Sequence, residues 1–184
     1  MKPSKVKKKI LEIGCGNKKI PGAIGLDVVK TPYVDVVHDL DKIPYPFKKE
    51  TFDEIYADNV LEHLDSPLDE ILGELIRILK PKGIIRVVVP NCQSVGAFAD
   101  PTHKKFFGWT TFDYFGSNPQ SFYTKSRVKI LRKKFRVNPG RLSSKILKPI
   151  EVFVNAFPNL YMMFFSFLPV NEIYFELQPI KNDL

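Results

Sequence analysis

The run Ile84-Ile85-Arg86-Val87-Val88-Val89 constrains this chain more than any other segment. Five of its six residues are β-branched and only one is charged. Such a run reads as a strand of a buried parallel sheet. Just before it, Leu68, Ile71, Leu72, Leu75, Ile76 and Leu79 recur at helical spacing. Ser66 is expected to cap that helix, Pro67 to fill its first position, and Lys80-Pro81-Lys82-Gly83 to stop it. A helix feeding a buried strand is the repeating unit of an open parallel α/β sheet. Four more strands are predicted upstream, over 8–14 (ending in a glycine turn), 23–27, 34–40 and 52–58. Downstream, a helix is predicted over 124–134, a strand over 135–137, an apolar helical segment over 146–168 and a last strand over 172–178. The expectation is one domain, residues 1–184, with an α/β fold. Its sheet is open, mostly parallel and of about seven strands, with helices on both faces and a C-terminal aromatic and apolar cap.

A chain of 184 residues that is 44% hydrophobic and 12% aromatic can bury a sizeable core. That excludes a disordered tail, a collagen-like chain and a disulfide-stapled mini-protein. Cys15 and Cys92 have no paired spacing, so a reducing compartment is expected, without disulfide or zinc site. The basic N-terminus leads into an apolar run too short for a secretory signal, and a cytoplasmic location is expected. The net charge of +8 permits RNA, an anionic membrane or an anionic substrate and selects none. Charge is also segregated. Residues 50–78 hold nine acids against Arg77, and residues 125–148 hold ten bases and no acid. Such runs read as a solvated face or as a docking surface for phosphates. Val152 to Asn171 is uncharged over twenty residues, but two prolines and three asparagines interrupt it. A buried helix or pocket cap is the reading taken, with an interfacial helix as the alternative and no transmembrane segment.

The first chemical signal is Glu12-Ile13-Gly14-Cys15-Gly16-Asn17, two glycines directly after the first strand. Glycines there let backbone N–H groups approach a ligand. Asp27 ends the second strand, thirteen residues after Gly14, where a carboxylate can accept from both ribose hydroxyls. A strand-ending Asp also often caps a turn. Lys19 stands where the third glycine of a dinucleotide fingerprint would fall, and the gap to Asp27 is short. Both count against a nicotinamide dehydrogenase.

Six stretches in order resemble a known family: Leu11-Glu12-Ile13-Gly14-Cys15-Gly16, Gly25-Leu26-Asp27, Asp39-Leu40, Phe52-Asp53-Glu54-Ile55, Val60-Leu61-Glu62-His63 and Leu79-Lys80-Pro81-Lys82-Gly83. Residues 8–91 resemble class I S-adenosylmethionine-dependent methyltransferases of the broad type 11 group. The resemblance implies a Rossmann-like sheet with 1–91 as the cofactor-binding half and 92–184 as the acceptor-side cap. It implies S-adenosylmethionine as cofactor, bound by Glu12, Gly14, Cys15 and Gly16, with the two glycines at its methionine part. Asp27 would bind the ribose, Asp39 the adenine amino group beside Leu40, and Asn59 would line the methyl-donor end. The family's first helix has no room here, since six residues separate Gly16 from Ala23.

Methyl transfer from a sulfonium is an in-line displacement, and alignment alone can be worth roughly 7–11 kcal/mol. A base is needed only if the acceptor's proton must leave early. His103, in the loop after the fifth strand, is the candidate general base, with Asp100 as its orienter; packing of His103 beside a cap at Asp100 is the equal alternative. His38 is read as structural or exposed and His63 as a pocket wall. Some RNA-end methyltransferases carry a Glu-x-x-Glu-His cluster plus a distant His. Here Asn59 replaces the first Glu, leaving Glu62, His63 and His103, and no metal is expected. Nine aromatics between Phe98 and Tyr123 suit a helical cap whose underside walls an acceptor pocket. The expected activity is methyl transfer to O or N of a small molecule, glycan or lipid-linked precursor, with peripheral contact to an anionic membrane at its inner face. An RNA methyltransferase and a non-catalytic protein on the same scaffold are the alternatives; nucleic acid is the less favoured partner.

Overall fold

The computed structural model describes residues 8–116, 122–137 and 144–180, with side chains for all of these but 144–146. Arg141 and the Lys145 side chain of the basic segment lie outside the described residues. The strands are β1 (Ile10–Ile13), β2 (Ile24–Asp27), β3 (Val36–Val37), β4 (Phe52–Asp58), β5 (Leu79–Pro90), β6 (Val128–Arg136) and β7 (Glu172–Pro179). They form one open sheet in the order β3-β2-β1-β4-β5-β7-β6. The first five are parallel, and β7 runs antiparallel to both β5 and β6. The helices are α1 (Leu68–Ile78), α2 (Val95–Ala99), α3 (Ser144–Ala156) and α4 (Pro158–Phe164). The seven-stranded, mostly parallel sheet is the one expected; among the described residues the helical cover expected on both faces lies over one.

Several local expectations are corrected. The segment 124–134 is not a helix: Val128 to Arg136 forms an edge strand, because pairing with β7 overrides local propensity. The strand expected at 135–137 is the end of that same strand. Ser66 does not cap α1, since its hydroxyl donates to Asp41 O and Pro67 is the N-cap. Lys80-Pro81-Lys82-Gly83 does not separate helix from strand; the chain passes straight into β5 at Leu79. The 34–40 strand shortens to Val36–Val37, so His38 lies just beyond it. The apolar segment is two helices, broken at Phe157-Pro158.

The core lies on one face of the sheet. Leu11, Ile55, Val87 and Phe175 point into it, and α1 adds Ile71, Leu72, Leu75 and Ile78, all fully buried. Four such side chains contribute about 6–12 kcal/mol by removal from water. Val154 of α3 and Tyr161 of α4 join the same cluster. On the opposite face, Glu12, Tyr56, Arg86 and Glu176 stand in register across β1, β4, β5 and β7. So Arg86 marks a polar side of the strand that had read as buried on both faces.

Crossover handedness explains the asymmetry. Crossovers between parallel strands are right-handed in about 98% of cases. From β4 to β5 the chain moves one way along the sheet, and from β1 to β2 it moves the other way. The two links therefore pass over opposite faces. The first carries α1 over the apolar face. The second, residues 14–23, contains no helix, as its length required. A face without helical cover keeps polar side chains, which pair among themselves. Arg86 Nη1 and Tyr56 Oη donate to Glu54 Oε2 at 2.7 and 2.9 Å.

Candidate functional site

The strand order reverses between β1 and β4, so their carboxyl ends diverge into a crevice. The glycine turn after β1 closes on β2 through Gly14 N–H, which donates to Leu26 O at 2.8 Å. Gly14 has φ +64°, and a Cβ there would meet Val60 Cγ2 at 2.5 Å. Gly16 has φ +52°, but a Cβ there would meet nothing within 4 Å. The first glycine is required by packing, and the second borders open space.

Asp27 holds the turn in shape. Its Oδ2 accepts from Gly16 N–H and its Oδ1 from Val29 N–H, both at 2.9 Å. Each oxygen keeps a further acceptor site. Glu12 is nearly buried, and its Oε2 accepts from Ile20 N–H at 2.6 Å. That bond fastens the short 14–23 link where a helix would otherwise do so. Cys15 turns its Sγ toward Tyr33 O, and burial raises its thiol pKa. Asp39 Oδ1 accepts from Asp41 N–H, and its Oδ2 lies 3.6 Å from Lys42 Nζ. Leu40 is buried, and its carbonyl accepts from Tyr45 Oη at 3.0 Å. Asn59 leaves β4 at φ +49°, with its side chain donating to Asp58. Beside the glycine turn, on the polar face, two adjoining recesses of about 260 and 380 Å³ share Ile20, Tyr56 and Asp58. Glu12 and Lys18 line the first, Arg86, Arg136 and Tyr174 the second.

The segment after α2 meets β4's exit through the backbone. Glu62 O accepts from both Lys104 N–H and Lys105 N–H, at 2.7 and 3.1 Å. This brings His103 beside His63, with ring centroids 4.8 Å apart. His103 Nδ1–H donates to Ala97 O at 2.9 Å, so that carbonyl orients the ring. Asp100 stands further off, its Oδ2 3.9 Å from His103 Nε2, while its Oδ1 accepts from Thr102 N–H and Thr102 Oγ1. Glu62 is fully buried, and neither carboxylate oxygen has a hydrogen-bond partner. Burial pushes its carboxyl up to about 7. In the sequence Glu62 figures in the Val60-Leu61-Glu62-His63 motif and in an incomplete ligand set, and a lone acid among Val60, Leu61 and Leu64 is the sign that it is buried. Next to this cluster Phe98 and Phe106 stack at 4.7 Å and are largely exposed, whereas Phe107, Phe112 and Phe115 are core.

A family model described as a methyltransferase domain matches residues 1–133, well over half of the chain. The chain belongs to the methyltransferase domain family. Solved structures repeat the fold. An S-adenosylmethionine-dependent methyltransferase from Archaeoglobus fulgidus matches with a TM-score of 0.58 at 18% identity, over 93% of this chain and 86% of that one. One from Mesorhizobium loti gives 0.59 at 12% identity, over 93% and 90%. The YcgJ protein from Bacillus subtilis gives 0.57 at 14%, over 96% and 93%. Among curated proteins none matches this chain by sequence.

S-adenosylmethionine is the cofactor expected of this methyltransferase, and the glycine turn is compatible with it. Gly16 leaves the volume of a side chain empty at the crevice. Asp27 offers acceptors there, and Lys18 offers a cation in the adjoining recess. Among the described residues, no helix is long and apolar enough to cross a membrane.

Proposed function

We propose that this methyltransferase moves the methyl group of S-adenosylmethionine to an O or N atom of a small molecule, glycan or lipid-linked acceptor, at the surface of an anionic membrane. The observation carrying the cofactor half is the open glycine turn with Asp27 bonded across it at the β1–β4 crevice. Residues 1–91 serve the cofactor and 92–184 the acceptor. Gly14, Cys15 and Gly16 lend backbone to the methionine part, Glu12 holds their loop, and Lys18 takes the carboxylate. Asp27 takes the ribose hydroxyls, Asp39 with Leu40 the adenine, and Asn59 borders the methyl-donor end. The cofactor supplies an electrophilic methyl on sulfur; the chain supplies alignment, which is most of what such a displacement requires. His103, with Asp100 near it, and the stacked Phe98 and Phe106 belong to the acceptor end.

The membrane half has its own support. Phe157, Leu160, Met163, Phe164 and Phe167 are all exposed on and beside α4. Tyr161 seats that helix against Phe135 of β6, whose neighbour Arg136 is exposed, with Lys129 and Arg132 exposed further along the same strand. Apolar side chains next to cations suit anionic lipid better than RNA, because a duplex or strand offers phosphates but no apolar depth. Lysines along an edge strand also block unwanted pairing, which accounts for part of the basic charge.

Titration with S-adenosylhomocysteine, read by calorimetry and thermal unfolding with NAD as control, tests the cofactor reading. Saturation at about 100 times Kd should raise Tm by roughly 5–10 °C. Asp27→Ala should abolish most of that rise while the free protein still unfolds cooperatively. A response to NAD, or unchanged affinity in Asp27→Ala, contradicts the assignment.

A further inference from the structure

We propose that Glu62, His63 and His103 form a binding site for one divalent transition-metal ion, held by a carboxylate and two imidazoles. One ligand atom from each of the three lies within 4.8 Å of the others. Around a tetrahedral ion with bonds of about 2.0–2.2 Å, ligand atoms stand about 3.4 Å apart. Closure on an ion therefore takes a shift of about 1 Å, within reach of side-chain rotation. Two independent features point to a cation rather than to chance proximity.

The first is Glu62 itself. Its carboxylate is fully buried, with both oxygens unpartnered. Burying an ionisable group without compensation is costly, and such groups are normally paired or bound to metal. Asp58 and Glu172 add negative charge nearby, which disfavours a second anion and favours a cation.

The second is the protonation pattern of the two rings. A carbonyl only accepts, so Nδ1 of His103 carries the proton it donates to Ala97 O, and in the neutral ring Nε2 holds the lone pair. Thr102 Oγ1 gives its own proton to Asp100 Oδ1 at 2.7 Å. It must then accept from Nδ1–H of His63, at 2.9 Å, so in the neutral ring Nε2 is again the nitrogen with the lone pair. A ligand imidazole typically donates its second N–H to an outer oxygen in this way. Asp100, read as the orienter of His103, acts here through Thr102 on His63.

Two imidazoles and one carboxylate suit the borderline ion Zn²⁺ first, and Mn²⁺ among the harder ions, over Mg²⁺ or Ca²⁺, which prefer all-oxygen sites. Three protein ligands leave at least one position open. An acceptor hydroxyl at that position would lose its proton more easily; this last role rests on the methyl-transfer reading, while binding of the ion does not. On that assignment His103 is a metal ligand, and the base for the acceptor is unnecessary.

The test uses the full chain stripped with a chelator, with Zn²⁺, Mn²⁺ or Mg²⁺ added alone and no S-adenosyl compound present. Calorimetry should give one Zn²⁺ or Mn²⁺ per chain. Tm should rise by about 5–10 °C at 100 times Kd. Glu62→Gln, His63→Ala and His103→Ala should each weaken binding by more than the about 10–100-fold typical of outer-shell changes, and Thr102→Val by an amount within that range. The metal-free Tm of Glu62→Gln should hold or rise, because the orphaned carboxylate is gone. If that variant does not fold, the two histidine variants carry the test. No response to Zn²⁺ or Mn²⁺, an equal response in every variant, or a preference for Mg²⁺ overturns the proposal. S-adenosylhomocysteine binding is measured separately, so its failure leaves the metal result standing.

Discussion

Gly14 and Gly16 are two residues apart, both at positive φ, and their environments differ. Gly14→Ala forces a methyl group to within 2.5 Å of Val60 in a backbone conformation that disfavours any side chain. It should destabilise the fold by about 2–4 kcal/mol. Gly16→Ala meets no atom within 4 Å, so it should cost only the roughly 1 kcal/mol of the left-handed conformation. Its methyl group faces the crevice, and affinity for S-adenosylhomocysteine should fall at least tenfold. Chemical denaturation and calorimetry on both variants separate the two roles. Equal loss of stability would remove the distinction. The spacing of the glycines was legible in the sequence. Which one serves packing was not, because Val60 lies 46 residues further along and reaches Gly14 only through the β1–β4 pairing.

At the scale of elements, Glu151 joins α3 to β6. Burial works against its charge, but hydrogen bonds from Lys134 at 2.8 Å and Lys148 at 2.9 Å outweigh this and hold its carboxyl down to about 2. A carboxyl with a pKa lowered on folding adds stability that is present above its unfolded value near 4.5 and is lost as pH falls toward 2. Its contribution at pH 7 is at most about 3 kcal/mol. Glu151→Gln should lower Tm at pH 7 and flatten the decline of stability between pH 4.5 and 2. A variant with the parent's pH profile would show that the pair is neutral. β6 was also the element least legible in the sequence. The sequence reads 124–134 as a helix, and only β7 beside it makes Val128, Ile130 and Phe135 an inward row. By contrast, the apolar stripe of α1 and the 52–58 strand were legible because each carries its own period.

At the scale of the whole molecule, the sheet is covered on its apolar side, and its polar side is open between Glu12 and Arg136. The exposed ridge of α4 lies at the β6 edge. Phe164 and Phe167 are 64% and 77% exposed, so replacing both by serine should leave Tm within a few degrees. The same change should strongly reduce co-sedimentation with anionic phosphatidylglycerol vesicles, while neutral vesicles bind neither form. Retention of full vesicle binding by the double variant would assign the membrane reading to charge alone. Capture of RNA with equal loss in the variant would redirect it to nucleic acid.

What the sequence determined by itself is what short-range pattern encodes: the strand–turn–strand opening, the glycine turn with Asp27, the amphipathic α1 and the order of motifs that marks a methyltransferase. Those features follow from periodicity and from backbone freedom within a dozen residues. The tertiary structure alone decided the one-sided sheet, the identity of β6 and the meeting of Glu62, His63 and His103. Each depends on segments about 40 residues apart or more, joined by strand pairing or by the two amides that converge on Glu62 O. Local pattern has no term for such contacts. An unpartnered buried carboxylate is a property of everything packed around it, so it exists only once the chain has closed.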